Sequence, residues 1–210
     1  QGTREADSSE KEAGCCLNIG IVGRLVPIKN HRLFLEGAAK VIRDNPAPDL
    51  RFKIIGDGEL RAELEEFSRK LNLSSAVEFS GWQKDLSGVY ANLDIVCLTS
   101  INEGTPVSLI EAMASGKVIA ATDAGGVKDL VGESLEEFED GLGFSPHERG
   151  IMVMSGDADS FAGALSFLVR NEEIRKKMAA AGREFVREKF VKKRLIKDIE
   201  KLYEQVVNKQ

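Results

Sequence analysis

Residues 17–43 read LNIGIVGRLVPIKNHRLFLEGAAKVIR, and their pattern decides the fold. Leu17 to Val22 is a short apolar run that stops at Gly23. From about Asn30 to Arg43, Leu33, Phe34, Ala38, Val41 and Ile42 recur on one face at helical spacing. The unit is strand, loop, helix. It returns down the chain: Arg51 to Ile55 before Gly56-Asp57-Gly58 and a charged amphipathic helix from Glu59 to Leu71; Val77 to Phe79 before Gly81-Trp82; Asp94 to Leu98; Val118 to Ala121 before Gly125-Gly126; and Ile151 to Met154 before Gly156-Asp157. Strands that are apolar throughout, joined by helices, belong to a parallel sheet buried on both faces, and right-handed crossovers make that sheet doubly wound. The expectation is an α/β, Rossmann-like domain of about six parallel strands with helices on both faces. Beyond Ser160 three apolar stripes predict C-terminal helices packed alongside: Phe161, Ala164, Leu165 and Leu168; Ile174, Met178 and Ala181; Ile196, Ile199, Tyr203 and Val206.

A chain of 210 residues buries one substantial core, which gives one domain over 15–210. Residues 1–14 are polar and charged without apolar periodicity and read as a flexible leader or linker. The segment from Gly132 to Gly150 is acidic, glycine-bearing and aperiodic, and reads as an insertion loop. A hydrophobic content of 42% against 30% charged residues, with a net charge of -5, argues against nucleic acid as a partner. Three cysteines, Cys15, Cys16 and Cys97, offer neither metal-ligand spacing nor a disulfide framework, so no metal is expected and the compartment expected is a reducing one. There is no long apolar span and no signal-type start, which predicts neither membrane crossing nor export.

Because each strand ends at a glycine or a polar loop, the loops collect along the carboxyl edge, where ligands bind in such sheets. The richest of them is Asn102-Glu103-Gly104-Thr105-Pro106-Val107-Ser108-Leu109-Ile110-Glu111-Ala112-Met113-Ala114-Ser115-Gly116. Thr105 reads as an N-cap and Pro106 as the first helical residue, leaving the N–H groups of Val107, Ser108 and Leu109 to face beyond Gly104. With the helix dipole behind them, they suit a phosphate. Glu111 sits in a helix with little solvated face, so it must accept hydrogen bonds, and sugar or ribose hydroxyls can supply them.

The remaining loops leave alternatives open. Gly23 lets the first strand turn tightly, and Arg24 and Lys29 either neutralise a diphosphate or are solvated loop cations. The glycine spacing of a nicotinamide or flavin site is absent. Gly56-Asp57-Gly58 is a turn with a capping acid or a close backbone approach to ligand. Trp82 either marks a main-chain edge that reads a base or is a core or surface tryptophan. His31 and His147 are isolated and read as solvent-exposed or capping residues.

Gly23-Arg24-Leu25 with Lys29-Asn30, Gly56-Asp57-Gly58, Val77-x-Phe79-x-Gly81, Glu103-Gly104-Thr105-Pro106 through Glu111-Ala112-Met113-Ala114-x-Gly116, and Gly125-Gly126, in this order, resemble the C-terminal, donor-binding half of the group 1 retaining glycosyltransferases of GT-B fold. The resemblance runs from about Leu17 to Phe190; Val118 stands where a proline is common. It implies a donor site for a UDP-, GDP- or ADP-sugar. In it Arg24 and Lys29 hold the diphosphate, Glu111 the ribose, and Glu103 positions the transferred hexose-type sugar. Gly104, Thr105, Pro106 and Val107 supply backbone contacts. It further implies that no metal or other cofactor is required and that no certain catalytic residue lies here. The partners it implies are an N-terminal acceptor domain of the same enzyme, without which this domain is inactive, and a glycan or lipid acceptor. The address would be cytoplasmic, at the inner face of a membrane through the missing domain. Two other readings stand beside it: a non-catalytic nucleotide-binding regulatory or interaction module, and a GT-B sugar-nucleotide epimerase.

Overall fold

The structure, a computed structural model, describes residues 16–45, 49–135, 141 and 143–207. The leader at 1–14 and part of the 132–150 segment lie outside them, as does the side chain of Val206. The strands are β1 (Leu17–Val22), β2 (Leu50–Ile55), β3 (Val77–Gly81), β4 (Ile95–Leu98), β5 (Val118–Thr122), β6 (Phe144–His147) and β7 (Gly150–Val153). The helices are α1 (His31–Asp44), α2 (Arg61–Lys70), α3 (Leu86–Ala91), α4 (Val107–Ala114), α5 (Val127–Val131), α6 (Ala158–Arg170), α7 (Glu172–Lys189) and α8 (Lys192–Val207). The sheet runs β3-β2-β1-β4-β5-β7-β6. All pairs are parallel except the last, in which β6 runs antiparallel to β7.

Alternation along each strand divides the core into two layers. Ile19, Ile21, Ile95, Cys97, Val118, Ala120, Ile151 and Val153 pack against α1, α2 and α6, whereas Val96, Leu98, Ile119 and Ala121 pack against α3, α4 and α5. The centre is dry on both sides: every residue of β4 and β5 is buried. Helix α7 spans both layers, with Met178 in the first and Val186 in the second. It lies close on α4 at Gly182, where a Cβ would approach the Met113 side chain to 3.1 Å.

One expectation is corrected. The aperiodic stretch before Gly150 is not all loop: Phe144-Ser145-Pro146-His147 forms the edge strand β6, which returns on β7 through Glu148-Arg149. A strand with one large apolar residue and a proline has no strand signature, yet an edge position tolerates proline because one side of the ladder is unpaired. Arg149 braces the turn, its guanidinium 4.0 Å over the Phe185 ring and its Nε donating to the Leu130 carbonyl at 2.6 Å, at the C-terminal end of α5.

Candidate functional site

Strand order reverses between β1 and β4, so the crevice between their following loops is the topological switch point of the sheet. The loops here are stitched to one another by main-chain bonds. Ile101 N–H donates to Ile28 O (2.9 Å), Leu25 N–H to Asp57 O (3.0 Å), Gly56 N–H to Gly81 O (2.9 Å) and Gly126 N–H to Gly104 O (3.0 Å). Glycines permit this approach. A Cβ on Gly56 would sit 1.9 Å from Gly23 O, and one on Gly125, whose φ is +54°, would sit 1.8 Å from Glu103 O. Of the two readings of Gly56-Asp57-Gly58, the turn with an acid is seen, Asp57 accepting from Gly58 N–H at 2.8 Å, and the close approach is to a neighbouring loop.

On this frame stand the charged groups. Lys29 Nζ meets Glu103 Oε1 at 2.5 Å, and Ser100 Oγ donates to the same oxygen at 2.6 Å. The backbone beneath is fixed by buried hydroxyls, Thr99 Oγ1 donating to Lys29 O (2.9 Å) and Thr122 Oγ1 to Ser100 O (2.7 Å). Arg24 is exposed on the neighbouring turn, and no described residue pairs with its guanidinium.

Helix α4 begins one residue later than its sequence suggests. Pro106, with ψ 99°, is the cap residue and Val107 the first helical one; no side chain caps the end. Thr105 is therefore outside the helix, and Leu109 N–H is not free, since it donates to Pro106 O at 3.1 Å. Val107 and Ser108 keep the unpaired donors of the first turn, beside an exposed Gly104 and Thr105. Helices α3 and α6 differ, for Asp85 and Asp157 cap them through side-chain oxygens.

Glu111 is half-buried on α4, as its neighbours require, but its first partner is one the sequence does not disclose. The Tyr90 phenol donates to Glu111 Oε2 at 2.9 Å from a ring that is only 2% exposed. Burial, followed by the hydrogen bond to Glu111, pushes the phenol well above its usual range, so it remains a donor. No spacing rule pairs residues on α3 and α4; only the packing of the two helices brings them together.

Trp82 is 72% exposed and thus a surface residue at the end of β3. Neither histidine is solvent-exposed. His31 is the first residue of α1 and 2% exposed, neither ring nitrogen having a partner among the described residues. Burial, and then the Lys29 charge, pushes it down to about 4. His147 is also buried, its Nδ1 2.7 Å from Gly132 O. Among the described residues no cluster of three or more His, Cys, Asp or Glu could hold a metal ion, and no helix is long and apolar enough to cross a membrane.

Fold and edge together define a doubly wound α/β domain whose polar groups gather at the switch point. Residues 16–185 match the family described as "Glycosyl transferases group 1", and the chain belongs to that family. It is similar to the UDP-Gal:alpha-D-GlcNAc-diphosphoundecaprenol alpha-1,3-galactosyltransferase of Escherichia coli, at 32% identity over 77% of this chain and 39% of that protein. It is also similar to the lipopolysaccharide core biosynthesis glycosyltransferase LpsE of Rhizobium meliloti (strain 1021), at 29% identity over 78% of this chain and 42% of that protein. The chain spans less than half the length of these two relatives. Its fold is that of GT-B glycosyltransferase structures. The Anabaena Alr3699/HepE structure in complex with UDP superposes with a TM-score of 0.78 at 20% identity, covering 90% of this chain and 49% of that one. The C-terminal domain of LpcC from Francisella tularensis gives 0.68 at 25% identity, covering 83% and 86%.

Proposed function

We propose that this chain is the donor-binding half of a glycosyltransferase, taking a nucleoside-diphosphate sugar at the switch point and working with an N-terminal domain that carries the acceptor. The observation that carries the reading is the uncapped start of α4 at the same sheet edge as Arg24 and Lys29: two backbone donors, a helix dipole and two cations make an anion site. The diphosphate lies there. Lys29 then exchanges part of its pairing with Glu103 for phosphate oxygens, and Arg24 offers a fork. Glu103 and Glu111 are hydroxyl acceptors rather than an acid/base pair. Glu111 Oε1 receives the ribose, and Glu103, held by Ser100, receives a hydroxyl of the sugar. Cations and backbone N–H groups stabilise charge as the diphosphate leaves, and a hexose-type sugar passes to a glycan or lipid acceptor. UDP is the nucleotide in the Alr3699/HepE complex, which makes a UDP-sugar the first donor to try. Alone, the domain binds but does not transfer.

Calorimetric titration of UDP, ADP and GDP into the chain tests this. One of them binds at millimolar concentration or tighter, and Arg24→Ala with Lys29→Ala together weaken it at least about thirtyfold. Absence of binding by all three nucleotides, or binding indifferent to both cations, contradicts the reading.

A further inference from the structure

Glu111 is a flexible acid on a half-buried helix face, and a hydroxyl-binding carboxylate gains from being held before its ligand arrives. What holds it comes from the core. Tyr90, near the C-terminal end of α3, belongs to the buried cluster that also holds Leu93, Val96, Leu109 and Met113, and a phenylalanine would fill the same space with no polar atom to satisfy. Among the described residues the hydroxyl has one partner, Glu111 Oε2 at 2.9 Å. The other carboxylate oxygen accepts nothing from a described residue. A phenol can donate only one proton, so the pair fixes one oxygen and leaves the second with its lone pairs for hydroxyls from outside.

We infer that Tyr90 is a positioning residue for the nucleotide ribose: a rigid, core-anchored donor that fixes the Glu111 carboxylate so that Oε1 presents itself to the ribose diol. The inference rests on the proposed role of Glu111. A purely structural Tyr90 would serve the core equally whatever nucleotide is bound; a positioning Tyr90 acts only on ligands that have ribose hydroxyls. The buried ring cannot reorient without disturbing its layer, so the carboxylate inherits the rigidity of the core.

The 210-residue chain is titrated with UDP and with 2′,3′-dideoxy-UDP as wild type, Tyr90→Phe, Glu111→Ala and the double variant, each below its own thermal midpoint. Tyr90→Phe keeps the ring and is expected to weaken UDP about tenfold while changing the dideoxy nucleotide less than about twofold. In the Glu111→Ala background the same change adds nothing. Equal weakening of both nucleotides, or an additive effect beside Glu111→Ala, overturns the positioning role and leaves Tyr90 a packing residue. If Glu111→Ala weakens UDP and Tyr90→Phe does not, only the Tyr90 inference falls. If Glu111→Ala itself leaves UDP binding unchanged, the ribose reading of Glu111 falls and takes this one with it.

Discussion

The two edges of this sheet are made from ends of the same strands, yet they answer helix charge to different extents. At the amino edge, basic side chains answer the carbonyl ends of helices. Lys117 Nζ donates to Ala91 O at the end of α3 (3.0 Å), Arg175 to Leu168 O and Val169 O at the end of α6, and Arg170 to Asp44 O at the end of α1 (3.2 Å). At the carboxyl edge, Asp85 and Asp157 answer the starts of α3 and α6, but no side chain caps α1, α2, α5 or, where the strand order reverses, α4. A cavity of about 640 Å³ between Leu17, Lys117, Arg183 and Arg187 lies at the amino edge. Two of its cations, Arg183 and Arg187, have no partner among the described residues. Lys117, Arg175 and Lys176 in that cavity are already engaged, Lys176 by Glu172 (3.0 Å) and Glu173 (3.2 Å). The stitched carboxyl edge offers the backbone donors of the α4 start beside Lys29 and Glu103.

The comparison breaks most sharply at glycine. Gly125→Ala forces a Cβ to within 1.8 Å of Glu103 O at a positive φ, and should displace the Glu103 loop. We expect it to destabilise the fold by about 3 kcal/mol in urea titration and to abolish nucleotide binding. Its amino-edge counterpart Gly116→Ala, also at positive φ (+69°) but 3.7 Å from the nearest atom, costs about 1 kcal/mol and leaves binding intact. Acid should also attack the carboxyl edge. His31 is held neutral, its pKa lowered from 6.5 to about 4, so its contribution is complete above 6.5 and is lost as pH falls from there towards 4. Urea midpoints measured across that range should fall more steeply for wild type than for His31→Leu, the difference amounting to about 3 kcal/mol. Lys29→Ala alone should weaken UDP about tenfold and flatten the salt dependence of binding. Arg183→Ala with Arg187→Ala should change it by less than about twofold, because that edge is not the site.

The fold was legible because buried parallel strands leave apolar runs, and because each run here ends at a glycine or a polar loop. What escaped was decided by tertiary position. Phe144–His147 is a strand only because β7 offers it an edge. His31 looks polar and local in the chain, yet at the start of α1 it is buried, and burial first, then the Lys29 charge, sets its chemistry. At the site, the cations, the two glutamates and the small-residue turn could be read from type and spacing. The cap geometry of Pro106 and the grip of Tyr90 on Glu111 could not, since one is a backbone angle and the other a contact between helices.

The central claim is that nucleotide binds at the carboxyl edge and not in the amino-edge cavity. Mapping backbone amide NMR shifts on addition of UDP tests it most directly. The account predicts that the largest shifts fall on Gly23 to Lys29 and on Gly104 to Ser108, with Lys117 and Arg183 to Arg187 unmoved. Shifts centred on the latter residues, with the Gly104–Ser108 amides unchanged, would contradict it.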